Sequence, residues 1–146
     1  MKYFTIIAAF ILMTSCVNQE SNQSTDKEKI VVHEAQNNEV TLDNGNKWHA
    51  NFATTKGILN MKTLIKTVNK DSNIDAYRVL GENLQKEFQH IFQHCDMTGE
   101  AHNQLHNYLH PMAAWFKELK EGNLSQCQST TLALKEHLEK YDSYFK

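Results

Sequence analysis

Four stretches of this chain repeat apolar residues at steps of three and four, the period of an α-helix that buries one face. They cover residues 51–69, 73–94, 98–121 and 124–145. The connections between them are short and polar, so successive helices must lie side by side in opposite directions. The pattern therefore predicts an all-α fold, an antiparallel up-down-up-down four-helix bundle over residues 51–146.

The periodic apolar residues are the predicted core. They are Ile58, Met61, Ile65 and Val68; Tyr77, Leu80, Leu84, Phe88, Ile91 and Cys95; Ala101, Leu105, Tyr108, Met112, Trp115 and Leu119; and Leu124, Cys127, Leu134, Leu138, Tyr141 and Phe145. Pro111 interrupts the third stretch. Its ring removes a backbone donor and crowds the carbonyl of Asn107, so we expect a kink or a split between Asn107 and Pro111.

Residues 30–50 do not follow the helical period. Asn44 and Gly45 form a pair that favours positive φ, which predicts a short N-terminal β-hairpin or turn in this segment. A hairpin alone is marginally stable and must pack on something. Trp48 is the expected anchor, with a packing role.

Residues 1–15 have the pattern of an export signal peptide. One lysine is followed by an apolar run that is too short to span a membrane as a permanent helix, and then by small residues. The end of this segment, Met13-Thr14-Ser15-Cys16, resembles the bacterial lipobox. That resemblance implies that Cys16 becomes the acylated N-terminus of a lipoprotein, held on a membrane by chains such as palmitate. The alternative is an ordinary secretory signal followed by a chance cysteine.

Residues 16–29 are almost entirely polar, which predicts a disordered tether. Val17 and Asn18 differ from the aspartates that resemble an inner-membrane retention signal. The sequence therefore favours a cell-envelope location at the outer membrane, facing the periplasm.

Composition argues against several functions. With 15 Lys+Arg against 17 Asp+Glu there is no basic footprint, so we expect no nucleic-acid partner. Only 5 Gly are present, and no nucleophile elbow, H-E-x-x-H or Ser/His/Asp signal is visible, so we expect no enzyme. Without Cys-x-x-Cys-His, covalent haem attachment is excluded. A noncovalent haem held by a Met and a His stays open.

Five of the 8 histidines fall within residues 90–110, together with a thiol and a thioether. Imidazole, thiolate and thioether are ligands for copper and zinc. His102 and His106 are four apart on one helix, and Cys95 and Met97 precede them across a turn. The predicted metal ligands are therefore Cys95, Met97, His102 and His106, with His137 as a weaker addition.

Metal–ligand bond lengths make this prediction more specific. If Cys95 shares an ion with His102 or His106, its sulfur should lie about 3–4 Å from a ring nitrogen. His90 and His94 flank the apolar stripe of their helix on the opposite rotational side from His102 and His106, so the two histidine pairs do not simply face each other. Cys95 and Cys127 fall at opposite ends of the predicted bundle, too far apart for a disulfide.

The stretch from Cys95 to His106, with Leu109 and Pro111 after it, resembles small lipoproteins of unknown function in Gram-negative bacteria. Residues 42–48 also fit. The resemblance covers about residues 40–145 and implies a helical bundle, but it assigns no activity.

Two functions from different classes follow. The first is a lipid-anchored bundle that captures or buffers copper or zinc. The alternative is a non-catalytic module that binds another envelope protein and holds no metal. In that case Thr98 caps the third helix and His102 is hydrogen-bonded at the edge of the core.

Overall fold

The computed structural model describes residues 39–146, and this part of the chain is all-helical, as predicted. The helices are α1 (Phe52–Leu64), α2 (Ile74–His94), α3 (Gly99–Leu109), α4 (Met112–Glu121), α5 (Leu124–Glu139) and the short α6 (Tyr141–Tyr144). A 3-10 turn, Ile65–Thr67, follows α1 directly. The predicted signal peptide, Cys16, the tether and residues 30–38 lie outside the described residues.

Asparagine side chains set the start of three helices. Asn51, Asn73 and Asn123 are extended in backbone conformation, and each accepts a hydrogen bond from a backbone N–H in the first turn, at 2.9–3.0 Å. At α5 the side chain of Gln126 accepts a hydrogen bond from the backbone N–H of Asn123, which completes a capping box. These caps fix where each amphipathic stretch begins.

The helices bury the faces that the apolar period predicts. α2 packs against α1 and α4, and α5 packs against α4 and α1. Most of the predicted core residues are buried, while Val68, Phe88, Cys95 and Trp115 pack against the core at partial exposure. Leu124 is the exception at 40% exposed, because it is the first residue of α5 and lies at the edge of the fold.

Pro111 divides the third predicted helix, which confirms the expected break. α3 ends at Leu109 and α4 begins at Met112. Tyr108 lies in the last turn of α3, where carbonyl groups lose their partners within the helix. The Tyr108 carbonyl instead accepts a hydrogen bond from Nε2 of His137 on α5, at 2.8 Å.

The predicted hairpin reduces to a tight turn within residues 39–50. Asn44 and Gly45 both have positive φ, 49° and 88°, and Asp43 and Asn46 exchange two backbone hydrogen bonds. No ladder continues beyond this bridge among the described residues. The chain pairs with its C-terminus instead: the Trp48 N–H donates to the carbonyl of Tyr144 at 2.8 Å.

Trp48 has the anchoring role expected of it. Its ring is half-buried and packs against the core, and its Nε1 donates to the carbonyl of Thr41 at 2.6 Å. Between residues 39 and 146, none of the helices combines the length and apolar character needed to cross a bilayer.

Candidate metal centre

The turn between α2 and α3 holds the predicted thiol and thioether. α2 ends at His94, and the four residues 95–98 lead into Gly99, which begins α3 with a φ of 64°. Asn51 fixes this turn to α1, since its Nδ2 donates to the His94 carbonyl at 2.8 Å and to Oδ1 of Asp96 at 2.7 Å. This contact of Asn51 with the turn was not predicted from the sequence.

Cys95 and His102 meet across this turn. The Cys95 Sγ lies 3.6 Å from Nδ1 of His102, within the predicted range. Both side chains are half-buried, and Cys95 also packs against the core. Without a metal, the contact is a hydrogen bond between thiol and imidazole.

The separation of the two atoms suits a shared ion. Zinc–sulfur and zinc–nitrogen bonds are about 2.3 Å and about 2.05 Å long. With those bonds, a sulfur–nitrogen distance of 3.6 Å corresponds to an angle of about 112° at the ion, close to tetrahedral. The Cys95–His102 pair therefore needs little movement to supply two ligands of one tetrahedral site.

The other two predicted ligands are close in the chain, but no third donor completes the site. Met97 is half-buried and packs against the core. The exposed His106 ring lies with its centroid 4.4 Å from that of His102 and 5.2 Å from that of Phe92. Among residues 39–146, no three or more Cys, His, Asp or Glu side chains are grouped so that they could hold a metal ion. If an ion binds here, the remaining predicted donors are the Met97 thioether and a rotated His106 ring.

The other histidines of the cluster make other contacts. His90 and His94 stack on each other with ring centroids 4.1 Å apart, and Nδ1 of His94 lies 2.9 Å from the carbonyl oxygen of His90. His110 is exposed beside Pro111. His110 offers a matched control for the site.

His137, predicted as the weaker additional ligand, makes a different contact. Its Nε2 is occupied by the Tyr108 carbonyl, and its ring stacks on Tyr108 and meets Trp115 edge-on. Burial lowers the pKa of His137, and the bond to the Tyr108 carbonyl acts in the opposite sense. His137 is thus committed to joining α5 to the end of α3.

The two described thiols are both free, as predicted. Cys127 is fully buried in the first turn of α5, with its sulfur 3.5 Å from the Leu119 carbonyl oxygen. Burial raises the pKa of this thiol, and the charge of Glu118 adds to the effect. Of these two described thiols, Cys95 is therefore the one placed to bind an ion from solution.

A polar network supports α3 next to Cys95. Thr98 stands at the N-cap position, but its side chain makes no capping bond, contrary to the expected cap. The Glu100 carboxylate instead accepts from Gln104 at 2.7 Å and from Asn103 at 3.1 Å, and these bonds lower its pKa. Gln104, only 6% exposed, also accepts from the N–H of Thr41. Burial of Gln104 was not predicted, because a polar side chain carries no burial signal in the sequence.

No protein-family model, no curated protein and no solved structure matches this chain. The class of protein is therefore defined by its fold and by the contact at the turn between α2 and α3. The described part is an all-helical protein in which a thiol and an imidazole meet at the turn between α2 and α3.

Proposed function

We propose that this chain is a lipid-anchored cell-envelope protein that binds copper or zinc at the turn between α2 and α3, for capture or buffering. The ligands are Cys95 and His102, joined by Met97 and His106. The observation that carries the proposal is the 3.6 Å distance between the Cys95 sulfur and Nδ1 of His102.

The chemistry of the donors limits the ion. Thiolate and thioether favour Cu(I), while thiolate and imidazole at a tetrahedral angle also suit Zn(II). Binding requires a deprotonated Cys95, so uptake of the ion must release a proton. Because both Cys95 and His102 are half-buried, solvent reaches the site and the ion can exchange.

For the architecture we propose the up-down-up-down four-helix bundle, with α3 and α4 together forming its third helix. The packing of α2 against α1 and α4, and of α5 against the same two helices, supports this arrangement. The acylation of Cys16, the outer-membrane location facing the periplasm and the lack of enzymatic activity are proposed from sequence.

The test is a metal titration of the full chain carrying Cys16→Ser, which removes the proposed acylation site and one thiol. Cu(I) under anaerobic conditions and Zn(II) are each added in competition with a chromophoric chelator. Cys95→Ala and His102→Ala should weaken binding by about tenfold or more, while His110→Ala, an exposed histidine outside the site, should bind as the parent does.

Thermal unfolding gives a second measurement. Metal at about 100 times its dissociation constant should stabilise the native state by about 2.7 kcal/mol. Equal and weak uptake by the parent, Cys95→Ala and His102→Ala, with no metal-dependent shift in Tm, would remove the metal proposal.

A second function, an interaction module without metal, is favoured by the outer face of α1. Phe52 is 83% exposed and Leu59 is 55% exposed. They are seven residues apart, so they share one face of the helix. If this function is correct, Cys95→Ala and His102→Ala lower Tm by removing the thiol–imidazole bond, and added metal changes nothing. Phe52→Ser with Leu59→Ser then abolishes capture of the partner without lowering Tm.

A further inference from the structure

A groove opens where the chain leaving α1 meets α5. Its volume is about 360 Å³, within the range of small-molecule sites. Ile65 and Tyr77, both buried, lie at its base, and Val68 is half-buried beside them. Leu132 lines it from α5 and is 58% exposed. The lining of the groove therefore includes apolar side chains from the segment after α1, from α2 and from α5.

Hydrogen bonds fix the wall of this groove. The Tyr77 hydroxyl on α2 donates to the carbonyl of Asn69 at 2.7 Å, and Nε2 of Gln128 on α5 donates to the carbonyl of Lys70 at 3.1 Å. Within the loop, the Asn69 side chain accepts from the N–H of Asp71 at 2.9 Å. The loop is thus tied to two helices, so little ordering remains for a ligand to impose.

The groove is also strongly cationic. Lys66, Lys70 and Lys135 line it, and no lining residue within 39–146 is an aspartate or glutamate. None of the three lysines forms an ion pair with another described residue, whereas Lys62 and Lys117 do so elsewhere on the surface. Three ammonium groups that form no ion pair with a described residue, beside an apolar lining, complement a ligand with an anionic head and a hydrocarbon chain.

We propose that this groove binds a single-chain anionic amphiphile of the fatty-acid class. The carboxylate lies among Lys66, Lys70 and Lys135, and the hydrocarbon chain covers Val68 and Leu132. The site is separate from the turn that holds Cys95, and the inference does not rest on metal binding.

The test uses the full chain carrying Cys16→Ser with dodecanoate at pH 7.5, below its micelle concentration. Calorimetry measures affinity, and NMR follows the methyl groups of Val68 and Leu132. Uncharged dodecyl maltoside controls for the chain, and acetate controls for the charge. We expect dodecanoate to shift the two methyl groups and to bind about tenfold more tightly than either control.

Variants then assign the contacts. Lys66→Gln combined with Lys135→Gln should weaken dodecanoate binding by about tenfold, since each exposed charge pair contributes modestly. Lys117→Gln, the matched lysine on α4, should leave the affinity unchanged. Leu132→Ser should weaken binding of the chain. Lys66, Lys135, Lys117 and Leu132 are all exposed, so these variants should fold.

Three results would overturn the proposal. One is equal affinity for dodecanoate and dodecyl maltoside with no effect of the lysine substitutions. Another is methyl shifts that lie outside the groove. The third is binding to vesicles of anionic phospholipid without binding to monomeric dodecanoate, which would make this face a contact for membrane surfaces.

Discussion

Acidification should weaken the fold through His137. The His137 ring is half-buried, its centroid 4.4 Å from that of Tyr108 and 5.1 Å from that of Trp115. A carbonyl oxygen only accepts, so Nε2 must carry the hydrogen of the bond to the Tyr108 carbonyl. The second proton therefore adds at Nδ1, and burial lowers the pKa for this step.

The direction follows from linkage. Because the folded-state pKa of His137 is depressed below its ordinary value of 6.5, both states are neutral well above that pH and the full stability is present. As the pH falls below about 6.5, the unfolded chain takes up the proton first, and the free energy of unfolding decreases. A single histidine contributes a slope of at most about 1.4 kcal/mol per pH unit, and the slope ends below the folded-state pKa.

Urea denaturation at pH 7.5, 6.5 and 5.5 measures this contribution. His137→Phe keeps an aromatic ring next to Tyr108 and Trp115 but removes the donor to the Tyr108 carbonyl. At pH 7.5 it should cost about 1–3 kcal/mol, because a polar group between α3 and α5 loses its partner. Its pH dependence should be shallower than that of the parent chain, whereas the exposed control His110→Gln should keep the parent slope.

Two results would refute this reasoning. The first is parallel stability curves for the parent chain and His137→Phe between pH 7.5 and 5.5, since His137 would then not titrate differently in the two states. The second is an unchanged stability of His137→Phe at pH 7.5, which would mean that the bond to the Tyr108 carbonyl contributes nothing. Glu100 does not interfere, because its lowered pKa affects stability only below about its ordinary value of 4.5.

Two further predictions concern packing and thiol chemistry. A Cβ built on Gly81 lies 2.9 Å from Cβ of Leu119 and 3.2 Å from the Phe116 carbonyl oxygen, so Gly81→Ala must push α2 away from α4. Alanine has the higher helix propensity, but we still expect a net loss of about 1–2 kcal/mol in the free energy of unfolding, measured by urea denaturation. A stabilised variant would contradict the close approach of α2 and α4. In the Cys16→Ser chain, Cys95 should react rapidly with a thiol reagent. Cys127 should react only at the rate at which the fold opens, because burial raises the pKa of its thiol. One fast phase for both thiols would refute this.

The helices were predictable because the signal is local and repeated. Each stretch buries one face, and the asparagines before α1, α2 and α5 mark where the helices begin. The break at Pro111 follows from the missing donor of one residue and needs no knowledge of the rest of the chain. The contact between Cys95 and His102 was predictable because the two residues are seven positions apart across one short turn, which limits how far apart their side chains can lie.

The contacts that were not predicted from the sequence join distant segments of the chain. His137 pairs with a carbonyl 29 positions away, and Thr41 with a side chain 63 positions away. Neither partner can be recognised in the sequence, since His137 bonds to a backbone oxygen and Thr41 bonds to the side chain of a glutamine. The predicted hairpin or turn is present as a turn without a ladder, because the backbone of Trp48 pairs with the C-terminal residues.

These long-range contacts also bear on the proposed metal centre. Asn51 holds the residues before and after Cys95, and Gln104 ties the start of α3 to Thr41, so the backbone that carries the thiol and the imidazole is fixed from both sides. A fixed pair lowers the ordering cost of binding. Structural zinc sites, however, use four protein ligands. A fixed pair with a variable third donor therefore favours an ion that is bound and released, which is the behaviour that capture and buffering require.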